Sequence, residues 1–197
     1  MNQETELSFE VRREAEERAR ELIRCGFQEP DEIAESLVDE FEDQGLEPED
    51  AEEIVGPLWQ ERLAEQASWP ETTDVDRLEE AFDALEEQGI VAAMDFTCCA
   101  NCGYAEIGGE ADEDSRGFVF FHQQDTEGAA AGRGLMLRYG GFRADGGSAE
   151  SAELRTVEIG RAVVAALEAA GLPVEWDGSP EKAIWVTPLT WLNRLPE

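Results

Sequence analysis

The hydrophobic period of this chain changes once, at residues 68–73 (Ser68, Trp69, Pro70, Glu71, Thr72, Thr73), and no other feature limits the fold as strongly. Before the break, apolar residues recur only at helical spacing. Leu7, Val11, Ala15, Ala19, Leu22 and Ile23 mark a first helix that Gly26 closes. Pro30 suits the first turn of a second helix, which carries Ile33, Leu37, Val38 and Phe41 on one face and stops at Gly45. Pro48, Glu49 and Asp50 open a third, running through Ala51, Ile54, Val55, Leu58, Trp59 and Leu63. Gly56 and Pro57 inside it are expected to kink it or split it in two. Residues 1–67 therefore read as an acidic three-helix unit in which Cys25 packs as a small hydrophobe.

After the break, helix and strand periods alternate. Thr73 or Asp74 caps a helix whose stripe is Val75, Leu78, Ala81, Phe82 and Leu85, ended by Gly89. Residues 90–96 read as a strand. Residues 118–122 are apolar on both faces and read as a central strand, and 135–139 as a third, after the glycine-bearing stretch 128–134. The polar, glycine-rich stretch 140–151 reads as a mobile loop. Residues 153–170 form the clearest helix, and 174–176 with 183–186 a hairpin turning through Asp177, Gly178, Ser179 and Pro180. This order predicts an α+β domain over 74–197, with a mainly antiparallel sheet and helices packed on one face.

Charge narrows the function classes. The formal net charge is -32, from 47 acidic against 15 basic residues, of which only Lys182 is lysine. Such a surface repels phosphate backbones and anionic membranes, so neither nucleic acid nor a membrane is expected as partner. The plain reading is a solvated acidic face; the sharper one is electrostatic steering towards a basic protein partner. The N-terminal stretch MNQETELSFEVRREAEER lacks the apolar segment of a secretory signal, and no apolar run spans a bilayer. The four cysteines do not make a secreted disulfide framework, since Cys25 stands alone and Cys98, Cys99 and Cys102 crowd into five positions. A soluble protein of the reducing cytoplasm is expected.

The chemistry concentrates between residues 96 and 127. Cys99-Ala100-Asn101-Cys102-Gly103 has the shape of a zinc knuckle, in which two sulfurs meet one ion and glycine relieves the turn. A second knuckle is missing. His122, the only histidine, is the paper candidate to join Cys99 and Cys102 as zinc ligands, and Cys98 is awkward because vicinal side chains point apart. The same residues allow a thiol–disulfide reading, in which a helix start lowers the first thiol's pKa while Asp95 and Glu106 oppose it. A nucleophilic pair of one of these thiols with His122 and Asp125 or Gln124 lacks any supporting motif. His122, Gln123, Gln124 and Asp125 follow an apolar strand directly, and such a run of hydrogen-bonding side chains is costly unless it faces a cleft or caps a helix. Arg116, Arg133, Arg138 and Arg143 flank the region, most simply as partners of nearby carboxylates.

These segments carry a resemblance. Asp95-Phe-Thr-Cys-Cys-x-x-Cys-Gly103, Phe120-Phe-His-Gln-Gln-Asp-Thr-Glu127, the Trp176-Asp-Gly turn and the Leu189-x-Trp191 ending look like a family of bacterial proteins built on a domain of unknown function. The resemblance spans residues 59–191 and leaves the N-terminal helices as a variable extension. It implies that the cysteine cluster and the His-Gln-Gln-Asp-Thr-Glu segment belong together, and it lends no mechanism. The expected function is a regulatory or immunity-type binding module with a pocket lined by Cys98, Cys99, Cys102, His122, Gln123, Gln124 and Asp125. The alternative is a zinc-containing or thiol-redox enzyme using the same cysteines.

Overall fold

The computed structural model describes residues 7–142 and 148–196, which divide into two compact units. One unit comprises the chain up to Glu71 together with the segment from Leu192 on; the other is Thr72–Trp191.

The helical unit contains α1 (Phe9–Cys25), α2 (Pro30–Glu40) and α3 (Pro48–Gln66). Local chemistry sets each boundary. The Ser8 hydroxyl accepts from the Val11 amide to start α1, and Gly26 at φ 76° ends it. Glu29 and Glu32 form a capping box around Pro30 in α2. Pro57 does not split α3 in two, the second of the two expected outcomes; α3 is one helix of 19 residues with Pro57 inside it. A proline costs one backbone bond and a clash. Burial of Ile54, Val55, Leu58 and Trp59 on both sides of it offsets that cost at roughly 1.5–3 kcal/mol for a large apolar side chain. The sequence reading ends the second unit at 197, whereas the last residues join the helical one. Leu195 sits in its core, and buried Asn193 donates to the Cys25 carbonyl at 2.9 Å and the Gly26 carbonyl at 3.1 Å.

The second unit is α+β. Its elements are α4 (Asp74–Glu86), β1 (Ile90–Ala93), α5 (Ala100–Glu106), β2 (Gly117–Phe120), α6 (Gln123–Ala130), β3 (Leu135–Gly141), α7 (Ala149–Ala169), β4 (Val174–Glu175) and β5 (Ile184–Val186). The five strands lie in the order β1-β2-β3-β5-β4, with β1 and β2 parallel and the other pairs antiparallel. Period 2 assigns the faces. A Cβ on Gly117 would meet Ile159 of α7 at 2.5 Å, and one on Gly141 would meet Arg155, so the row with Val119, Tyr139 and Leu137 faces α7. α4 packs against α7 and β1. The alternate row, Phe118, Phe120 and Arg138, faces the other way, where Tyr104 of α5 stacks edge-on against Phe120 at 5.3 Å. The one-face expectation therefore holds for α4 and α7, while α5 lies against the opposite face.

The expected mobile loop at 140–151 is shorter than its composition suggests. Gly140 and Gly141 belong to β3, and α7 starts at Ala149 behind the Ser148 cap; residues 143–147, Arg143 among them, lie outside the described residues. No helix among the described residues is long and apolar enough to cross a membrane.

Candidate functional site

Two residues in left-handed backbone turn the chain out of β1: Asp95 at φ 50° and Thr97 at φ 59°. Backbone bonds then clip this turn to the end of β2. Phe96 donates to the Phe121 carbonyl at 2.8 Å, and Gln123 donates to the Thr97 carbonyl at 3.1 Å. The cysteine segment and the His-Gln-Gln-Asp segment are thus neighbours.

Cys99 is the N-cap of α5, with extended backbone, and its carbonyl accepts from the Gly103 amide at 3.0 Å. Cys102 falls in the first turn. The sulfurs of Cys98, Cys99 and Cys102 all lie within 4.8 Å of one another, and Cys98 and Cys102 are 3.6 Å apart. Cys98 is exposed and the other two are half-buried. Vicinal Cys98 and Cys99 therefore do converge, because the left-handed turn at Thr97 and the extended backbone at Cys99 reorient successive side chains. Gly103 is helical rather than a turn residue. Its lack of a Cβ lets α5 reach Phe120, whose Cε2 would lie 2.4 Å from one.

The thiols are not equivalent. The Cys102 amide N–H, followed by the thiols of Cys102 and Cys98, hydrogen-bonds the Cys99 sulfur and lowers its pKa. Cys102, held by hydrogen bonds with the Cys98 and Cys99 thiols and disfavoured as a thiolate by their charge, is pushed up to about 11. The opposition expected from Asp95 and Glu106 is not among the influences on Cys99.

His122 stands outside the thiol group. It is 3% exposed and caps α6: its Nδ1 accepts from the Asp125 amide at 3.3 Å, while Nε2 lies 3.1 Å from the Asp125 carboxylate. This pairing requires the neutral imidazole with its proton on Nε2, and burial accordingly lowers the His122 pKa, with Asp125 opposing. Arg138 closes the cluster with a 2.5 Å contact to the same carboxylate. Both imidazole nitrogens are thus engaged by Asp125, which removes His122 from the expected zinc set and from the nucleophilic pair. Gln123 and Gln124 occupy the first turn of α6 as exposed residues.

The sequence places Asp95 and Thr126 in the two motifs but not their pairing with each other. Asp95 accepts a hydrogen bond from the fully buried hydroxyl of Thr126, and burial lifts its pKa from the ordinary 3.8 to about 6. An aspartate at the end of an apolar strand, directly before a cysteine cluster, was the available signal.

No curated protein and no solved structure matches the chain. The resemblance proposed for residues 59–191 extends much further and takes in the helical unit. With a model for the domain of unknown function DUF6891 matching residues 8–195, the chain belongs to that family.

Proposed function

We propose that the protein binds a thiophilic metal ion of the zinc class through Cys98, Cys99 and Cys102. The convergence of the three sulfurs carries this reading. Thiolates about 2.3 Å from a tetrahedral zinc stand roughly 3.8 Å apart, and the observed spacing, from 3.6 Å up to 4.8 Å, needs little adjustment. Among the described residues no histidine or carboxylate joins the group, so three protein ligands would leave a fourth position, on the side of exposed Cys98, for water or an incoming ligand. That arrangement suits exchange or delivery of the ion better than a closed structural role. The Cys102 amide, which favours the Cys99 thiolate, would favour the ligating form. Reduced thiols of this kind suit a reducing compartment, and the cytoplasm is part of the proposal.

The test is a zinc titration of the full chain against a chromophoric chelator. One equivalent should bind, and Cys98→Ser, Cys99→Ser and Cys102→Ser should each weaken binding at least tenfold, while Cys25→Ser leaves it unchanged. Equal zinc affinity in all four variants would overturn the reading.

The 3.6 Å contact between Cys98 and Cys102 favours a second reading, a dithiol centre. Two thiols would yield two electrons and two protons to a hydroperoxide, forming one disulfide and releasing water and an alcohol, or two waters from hydrogen peroxide. Peptide mapping after peroxide treatment should then recover Cys98 joined to Cys102. A protein that keeps all four thiols free under such treatment has no such activity.

A further inference from the structure

The helical unit has a concavity of its own. Asp31, Ala34, Glu35, Val38 and Asp39 of α2 face Pro48 and Glu52 of α3 across a groove of about 490 Å³. That volume is within the range of built ligand sites and accepts a few aliphatic side chains. Ala34, Val38 and Pro48 give it an apolar floor, and the carboxylates of Asp31, Glu35, Asp39 and Glu52 rim it, all four exposed.

The charge on this side has no internal counterpart. Arg12, Arg13, Arg18 and Arg20 of α1 are matched with Asp50, Glu17, Glu21, Glu40 and Glu61. From Arg24 to Arg62 the chain carries no basic residue and fourteen acidic ones. Among the described residues, none of the four rim carboxylates has an ion pair.

We propose that the groove between α2 and α3 docks a basic amphipathic helix of a protein partner. Asp31, Glu35 and Asp39 recur every four residues, so they stand about 6 Å apart along α2. Lysines or arginines at the same interval on a partner helix meet them in register, while the apolar stripe between those cations enters the groove over Val38. The rim then sets orientation and encounter rate, and the floor sets residence time. A membrane-surface or nucleic-acid occupant is excluded by the sign of the rim.

The probe is a labelled synthetic helix with lysines at positions i, i+4 and i+8 and leucines on the adjoining face, followed by anisotropy with the full-length protein. Saturable 1:1 binding is expected, and an all-lysine peptide of equal charge should bind at least tenfold more weakly. Glu35→Lys combined with Asp39→Lys should weaken the amphipathic peptide at least tenfold. Glu150→Lys combined with Glu153→Lys, the same charge change on exposed positions of α7, should change it less than threefold. Val38→Asp separates groove from field: insertion over an apolar floor requires this variant to bind more weakly, whereas pure charge attraction requires it to bind more tightly. Tighter binding to Val38→Asp, or equal binding of the all-lysine peptide, would overturn the proposal. Circular dichroism of each variant confirms that the three helices persist.

Discussion

Asp95 shows how one residue can hold a site in place and lower stability at neutral pH. Its left-handed backbone starts the turn that aims the cysteines, and its carboxyl reaches back to Thr126 on α6. Burial makes the charged form unfavourable, so the folded-state pKa of about 6 lies above the ordinary 3.8. Between those values the folded state holds the proton and the unfolded state does not. The contribution of Asp95 is therefore fully present below about pH 4 and is lost as pH rises through 6. His122 acts with the opposite sign: its folded-state pKa is lowered, so stability falls as pH drops below the free-histidine value near 6.5. Asparagine tolerates the left-handed region and still accepts from Thr126. Asp95→Asn should accordingly gain up to about 3 kcal/mol at pH 7 relative to wild type, and almost nothing at pH 4. Paired urea titrations at the two pH values read this directly. An equal effect at both would show that the Asp95 charge is not what destabilises the turn.

At the scale of elements, α5 depends on a close approach that only glycine allows. Helix propensity alone would make Gly103→Ala stabilising by about 1 kcal/mol. Contact decides otherwise: a Cβ there would lie 2.4 and 2.7 Å from Phe120 ring carbons, and that ring is fully buried between β2 and its neighbours. Gly103→Ala should therefore cost about 1–3 kcal/mol, the usual range for overpacking, and should weaken zinc binding, since Cys99 and Cys102 move with α5. Denaturation and chelator competition on the same variant test both parts; a stabilised protein would refute the contact. The long helices were legible because Ile33 and Leu37 or Val75, Leu78, Phe82 and Leu85 repeat at helical spacing, although α2 ends at Glu40 and α4 at Glu86, short of the expected stops at Gly45 and Gly89. α5 and α6, of seven and eight residues, are too short for any period to emerge. In α6 the difficulty was chemical as well. A His-x-x-Asp capping box uses the same residue types as a catalytic pair, so only the distances from Asp125 to both imidazole nitrogens distinguish them. The convergence of Cys98 with Cys99 was hidden for another reason: it depends on a positive φ at Thr97, a threonine, where sequence gives no warning.

Over the whole molecule, charge is the largest uncompensated term. The 15 basic residues can neutralise only 15 of the 47 acidic charges, leaving a surplus of 32. The visible pairs are mostly exposed, such as Arg13 with Glu17 and Lys182 with Asp177, and exposed pairs contribute little. Salt weakens attractions and repulsions together, but repulsions outnumber attractions here, so the net effect of screening must be stabilising. Moving from about 0.01 M to 0.5 M sodium chloride shortens the screening length from roughly 30 Å to a few ångström. A gain of about 2 kcal/mol would raise the unfolding temperature by roughly 4–8 °C for a chain of this size. The same change at pH 4, near the ordinary carboxylate pKa values, should produce a much smaller rise because much of the repelling charge is neutralised. Sucrose at matched osmolality adds exclusion without screening and should show no such pH dependence. Calorimetry across the salt series at both pH values decides the matter. An unfolding temperature that falls with salt at pH 7 would mean that ion pairs such as Arg12–Asp50 and Arg138–Asp125 outweigh the surplus of like charge.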